Sequence, residues 1–308
     1  MAALLLALAA AADVADLSAP LERSADYNSN PAQTALRAAE EYGSALLAYT
    51  VLKGGKVVAE HTYYPEYGLN WNTEYWMWSV TKSVSSMLIG QLVDRGSVNT
   101  TSTLEEIFGD EVKWDEVIEG ESKKLITLEE LLTMTSGLAD PDELMDYDES
   151  NDPPQESLLD VLNHGEFKDG NEFAYLSSTH ILAYVIRSAS GGETPAAFAT
   201  GSSGAFTALG IDKFTWTADA WHTTTNADGM QGSGYGLQMK VRDMAKIGQL
   251  YLQEGMSAPS TQLLSAEYVA ASTEMKVGPW PNWRGVNWMA DVSRATALPP
   301  AATLRGRV

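Results

Sequence analysis

The 308-residue sequence predicts a globular chain that mixes strands and helices, in one large domain or two modest ones. Three observations carry that prediction. Two β-rich runs, residues 45–53 and 56–64, flank Gly54-Gly55, a two-residue hairpin signal. Helical patterns occupy residues 79–95, a stretch from near Ser177 to about Ser188, and residues 241–254. Apolar residues make up 44% of the chain, enough for a packed core.

The elements follow in order. Residues 1–12 are a run of Ala and Leu, too short to span a bilayer. They have the apolar centre and small residues of a signal peptide, but no positive side chain precedes Arg23. An ordinary N-terminal helix is the plain alternative, so periplasmic, secreted and cytoplasmic locations all stay open. After the hairpin, the aromatic segment 71–78 leads into the helix at Ser79, and its Trp76 and Trp78 are expected to pack as core. Thr127-Leu128-Glu129-Glu130 is a capping box that opens a short helix closed by residues 133–138. Residues 140–156 form an acidic loop. Its Asp146, Asp148 and Asp152 lack the glycine and glutamate of a calcium loop, so it reads as solvated surface.

The helix near Ser177 runs through Ile181, Leu182, Val185 and Ile186 towards Gly191-Gly192. Residues 229–236 are glycine-rich without a phosphate-loop or dinucleotide pattern. Met244, Ile247, Leu250, Tyr251 and Leu252 give residues 241–254 an apolar face, and residues 265–272 suggest one more helix. The tail changes character. From 275 to 308 there is one acid, Asp291, against Lys276, Arg284, Arg294, Arg305 and Arg307, and residues 295–308 read as disordered or foreign to the preceding domain.

Composition excludes several function classes. With 41 acidic and 20 basic residues the formal charge is −21, which argues against nucleic acid and anionic membrane surfaces as partners. The absence of cysteine removes disulfides, thiolate metal sites and a cysteine nucleophile. His61, His164, His180 and His222 have no metal-like spacing.

The residues that carry chemistry are Ser79 and Lys82 in Ser79-Val80-Thr81-Lys82. A serine hydroxyl is a poor nucleophile until a base within hydrogen-bond reach takes its proton. A lysine three residues on lies on the same helical face. Burial near the positive helix end disfavours its ammonium form, and the same end offers N–H groups to an oxyanion. Of the eleven lysines, Lys82 alone has a serine three positions earlier. The plain alternative makes Ser79 an N-cap and Lys82 a solvated charge.

Further segments fit a family in order and spacing. Trp78-Ser79-Val80-Thr81-Lys82-Ser83, Leu131–Leu138, Phe173-Ala174-Tyr175-Leu176-Ser177 and Arg242–Leu252 resemble the serine β-lactamase and penicillin-binding-protein superfamily. The similarity covers residues 45–288 and is greatest to the class C β-lactamase-related hydrolases, including family VIII carboxylesterases and 6-aminohexanoate-dimer hydrolases. The resemblance implies an α+β fold of the β-lactamase/transpeptidase type, an antiparallel sheet flanked by helices beside a mostly helical lobe. The domain would span residues 27–290. Residues 27–97 and 228–290 would form the sheet part, residues 98–227 the lobe, residues 1–26 a separate N-terminal segment and residues 291–308 an irregular tail.

The resemblance also implies roles. Ser79 would be the acyl-forming nucleophile and Lys82 its general base or proton shuttle. Tyr175 would match the tyrosine of the second motif and relay a proton to the leaving group; whether Lys82 or Tyr175 is the base stays open. Ser177 stands where most relatives carry Asn. It would bind substrate through a shorter hydroxyl that lacks the amide's paired donor and acceptor, which points away from a dedicated lactamase; as a plain alternative it caps the following helix.

The third motif of the family, on a sheet strand facing the serine, has no clear counterpart. Lys276-Val277-Gly278 has its outline without the hydroxyl, and Gly285-Val286-Asn287-Trp288 resembles the strand that usually precedes it. Truncation or a frame error near Asp291 would account for both the missing motif and the tail; sequencing the source locus tests this, and an intact locus ending at Val308 rejects it.

The expectation is a serine hydrolase that cleaves a small ester or amide, a β-lactam among the candidates, through an acyl-Ser79 intermediate, with no metal or cofactor. The alternatives are a catalytically impaired homologue acting as a binding or scaffold protein, and a penicillin-binding D-alanyl-peptidase. Oligomeric state is not encoded in any motif.

Overall fold

The computed structural model describes residues 4–8, 14–29, 47–139, 157–163, 166–167, 173, 180–217 and 229–274. Short β-sheets and a set of mostly short helices make an α+β architecture. The expected hairpin forms as Ala48–Lys53 and Lys56–Thr62. Gly54 and Gly55 both take positive φ, 56° and 72°, which the two-residue turn requires and which side chains with a Cβ resist. Residues 48–52 are buried without alternation, so this strand is covered on both faces.

One neighbour was not anticipated. Leu4–Leu8 is a strand paired in parallel with Ala48–Lys53, in register Leu4 to Tyr49 through Leu8 to Lys53. It corrects the N-terminal helix alternative. An Ala/Leu run satisfies either geometry locally, and here the open edge of Ala48–Lys53 supplies the hydrogen-bond partners. The Val241–Leu252 helix packs against these two strands, with Met244, Ile247, Leu250 and Tyr251 buried.

The carboxylate of Glu60, fully buried on the Lys56–Thr62 strand, ties three segments together. It accepts from Arg242 Nε at 2.9 Å and Arg242 Nη2 at 2.7 Å, and from Arg23 Nε and Nη2 at 3.0 and 2.9 Å. Burial pushes this carboxyl up, but the hydrogen bonds from Arg242 and Arg23 outweigh it and leave the group below its usual range.

A second sheet positions the site. Tyr75–Trp76 pairs with Leu237–Met239, which pairs on its other edge with Phe214–Trp216. The first of these strands runs directly into a 3-10 turn, Trp78–Val80, and then into the Thr81–Asp94 helix. That helix is buried all round and packs against the Ile181–Ser190, Pro195–Thr200 and Ala266–Thr273 helices, as a central core helix should. Gly90 makes one of these contacts possible, since a Cβ there would sit 2.5 Å from Tyr268 Cε1.

Local signals largely set the remaining helices. Thr127 and Glu130 form the expected capping box, Thr103 and Glu106 form another, and Ser265 caps Ala266–Thr273 by accepting from Tyr268 N. The acidic loop 140–156 and the tail 275–308 lie outside the described residues.

Candidate functional site

Ser79 sits in the 3-10 turn rather than in the first α-helical turn, and Val80 is the helix N-cap residue, with no side-chain cap. The plain N-cap role for Ser79 is therefore not what its hydroxyl does. Lys82 Nζ donates to Ser79 Oγ at 3.2 Å. Lys82 is only 3% exposed, which rules out the solvated-charge alternative. Its second described partner is the backbone carbonyl of Gly234, at 3.0 Å. A buried amine needs such partners, because an unsatisfied one would cost several kcal/mol.

The surrounding burial is unusual for these residue types. Thr81, Lys82, Ser83 and Ser85 are all buried at the start of one helix. Ser85 Oγ donates to the Ser233 carbonyl at 2.8 Å, and Ser233 Oγ accepts from Ala183 N at 3.1 Å. The glycine-rich segment 229–236 thus lies against both the Thr81–Asp94 and Ile181–Ser190 helices. It arrives there because it leads into Leu237–Met239, the strand that pairs with the chain entering Ser79.

Trp78 departs from expectation. It is 40% exposed rather than packed as core, and its φ is +49°. The left-handed conformation at the strand-to-turn junction takes the indole out of the interior, which Val84, Met87 and Leu88 fill. The Trp76 ring is tilted against it with centroids 5.8 Å apart. On the glycine-rich side, Tyr235 meets His180 edge to face at 5.0 Å. A bulky residue held at positive φ stores backbone strain of about 1–3 kcal/mol, and it does so here beside the candidate nucleophile.

Ser79 and Lys82 are thus brought together. Tyr175 and Ser177 lie outside the described residues, as do Lys276-Val277-Gly278 and residues 285–288. Sequence reasoning missed Ser85, Ser233 and Gly234. The only signal was the glycine density of 229–236, which had no assigned role. Among the described residues no cluster of His, Asp and Glu could hold a metal ion, and no helix is long and apolar enough to cross a membrane.

Comparison with known proteins gives this geometry a context. A search of curated proteins returned no significant match. Among solved structures, a protein from Bacteroides dorei provisionally assigned as a β-lactamase superposes with a TM-score of 0.58 at 18% identity, covering 81% of this chain and 70% of its own. A Bacillus anthracis protein provisionally assigned as a 6-aminohexanoate-dimer hydrolase gives 0.60 at 18%, covering 86% and 71%. EstCE1, a hydrolase with promiscuous acyltransferase activity, gives 0.53 at 16%, covering 73% and 70%. At these identities the likeness is one of fold, the β-lactamase/transpeptidase-like α+β fold. A sequence profile of the β-lactamase family matches residues 32–297, most of the chain. The chain belongs to the β-lactamase family.

Proposed function

We propose that this protein is a serine hydrolase that cleaves a small ester or amide through an acyl-Ser79 intermediate. The observation that carries the proposal is the 3.2 Å contact between Ser79 Oγ and the buried Lys82 amine. In its neutral form that amine accepts the hydroxyl proton while Oγ attacks the substrate carbonyl. The Ser79 N–H would donate to the developing oxyanion. Tyr175 would pass a proton to the leaving group, and water then releases the acyl group from Ser79. Ser177 would hold the substrate by its hydroxyl. No step calls for a cofactor. The family match supports hydrolase chemistry in general; the serine mechanism, the class C relationship and the ester or amide preference are part of the proposal.

A second reading, an acyl-binding homologue with little turnover, draws on Ser177 in place of Asn and on the lack of a recognisable third motif in the sequence. Losing one oxyanion donor costs about 10²–10³ in rate. Fluorophosphonate labelling and p-nitrophenyl butyrate turnover, both abolished in Ser79→Ala, support the enzyme. A folded sample that neither labels nor turns over refutes it. Nitrocefin and fluorescent penicillin separate the lactamase and penicillin-binding D-alanyl-peptidase variants from an esterase.

A further inference from the structure

We infer that the Ser233-Gly234 turn is a positioning device for Lys82, with Ser85 and Ser233 as positioning residues that never touch substrate; the inference rests on the hydrolase reading of the same site. Lys82 and Ser85 are one helical turn apart on the same helix. They donate to two consecutive backbone carbonyls, Lys82 Nζ to Gly234 at 3.0 Å and Ser85 Oγ to Ser233 at 2.8 Å. Ser85 and Ser233 are completely buried, so neither hydroxyl can reach a substrate.

The turn is held from two further sides. Ser233 Oγ accepts from Ala183 N at 3.1 Å, an N–H in the first turn of the Ile181–Ser190 helix that it shares with the His180 carbonyl at 3.2 Å; the N-cap residue His180 itself makes no side-chain cap. On the opposite side, Trp216 Nε1 donates to the Gly232 carbonyl at 2.8 Å, Gly232 N donates to the Thr217 carbonyl at 2.8 Å, and Thr217 N donates to the Gly236 carbonyl at 3.0 Å. Gly236 is required there, since at φ +92° a Cβ would lie 2.5 Å from the Thr217 carbonyl oxygen.

The consequence is mechanical. A lysine side chain has four rotatable bonds and loses its catalytic direction unless something fixes its end. The Gly234 carbonyl fixes it, and the hydrogen bonds from Ser85 Oγ to the Ser233 carbonyl and from Ala183 N to Ser233 Oγ anchor the residue that precedes Gly234. The same serine joins the nucleophile helix to the helix that follows Tyr175 and Ser177 in sequence. Ser233 therefore ties the Thr81–Asp94 helix to the Ile181–Ser190 helix.

Four single variants, Ser85→Ala, Ser85→Thr, Ser233→Ala and Lys82→Met, and the double variant combining Lys82→Met with Ser85→Ala test this, assayed with p-nitrophenyl butyrate, with thermal unfolding alongside. Ser85→Ala is expected to lower kcat about 10- to 100-fold, the scale of a small misplacement of a reacting group, while KM changes about twofold or less. Ser85→Thr, which keeps the hydroxyl, restores most of kcat. In a Lys82→Met background the Ser85→Ala change costs nothing further, because the two act as a unit. Ser233→Ala shows the same kcat loss if it folds; if it does not, the Ser85 pair decides alone. A folded Ser85→Ala protein with wild-type kcat, or an equal loss in the Lys82→Met background, overturns the positioning role alone. A wild-type protein that neither labels nor turns over overturns the hydrolase reading and this inference with it.

Discussion

Replacing Glu60 by Gln should destabilise the fold by about 2 kcal/mol at neutral pH, and the difference should vanish in acid. The Glu60 side chain is fully buried and accepts four hydrogen bonds from Arg23 and Arg242. Breaking a buried ion pair by removing one partner typically costs about 3–5 kcal/mol, because the remaining charge is stranded. Here the guanidiniums are not stranded, since the Arg23 and Arg242 side chains are 54% and 30% exposed and regain water when the carboxylate is lost. Gln also keeps one carbonyl oxygen as an acceptor. Both points pull the cost to the lower figure, equivalent to a fall of about 4 °C in Tm for a chain of this size.

The pH dependence follows from the direction of the shift. The folded-state carboxyl lies below its usual value despite burial, because Arg242 and Arg23 donate to it. Its contribution is therefore complete above the unfolded-state value and is lost as pH falls through the lower folded-state value. Urea unfolding of wild type and Glu60→Gln at neutral pH and at a series of acidic values reads both effects. Equal midpoints at neutral pH, or a gap that persists once carboxylates are protonated, would refute the reasoning.

Gly90→Ala forces a Cβ to 2.5 Å from the Tyr268 ring and 3.0 Å from Leu264, so overpacking should cost about 1–3 kcal/mol; Tyr268→Leu in the same chain should recover part of the loss in a denaturant titration. Trp78→Gly should keep or raise Tm, by relieving a positive φ on a residue that is 40% exposed, while lowering kcat/KM for p-nitrophenyl butyrate; a lower Tm with unchanged kcat/KM would contradict the strain account. Thr127→Ala removes the acceptor for Glu130 N and should cost about 1 kcal/mol in thermal unfolding, with no change in turnover.

What could be read from the sequence was local or shared by a family. The Gly54-Gly55 turn and the Thr127 capping box depend on residues within a few positions of each other, so the sequence displays them directly. The spacing of Ser79 and Lys82 is of the same kind. The Leu4–Leu8 strand was not readable, because an Ala/Leu run becomes a strand only when a remote edge offers hydrogen bonds, and that edge is at Tyr49 to Lys53. Trp78 is exposed where aromatic composition predicts burial, because a positive φ at one junction reverses the direction of one side chain. The Lys82–Gly234 contact spans 152 positions and uses a backbone carbonyl, which no residue type announces.

Mass spectrometry of the protein trapped with a fluorophosphonate tests the central claim most directly. The account predicts one covalent adduct, mapped by peptide digestion to Ser79, formed slowly in Lys82→Met and not at all in Ser79→Ala. An adduct on another residue, or ester hydrolysis that survives Ser79→Ala, would contradict it.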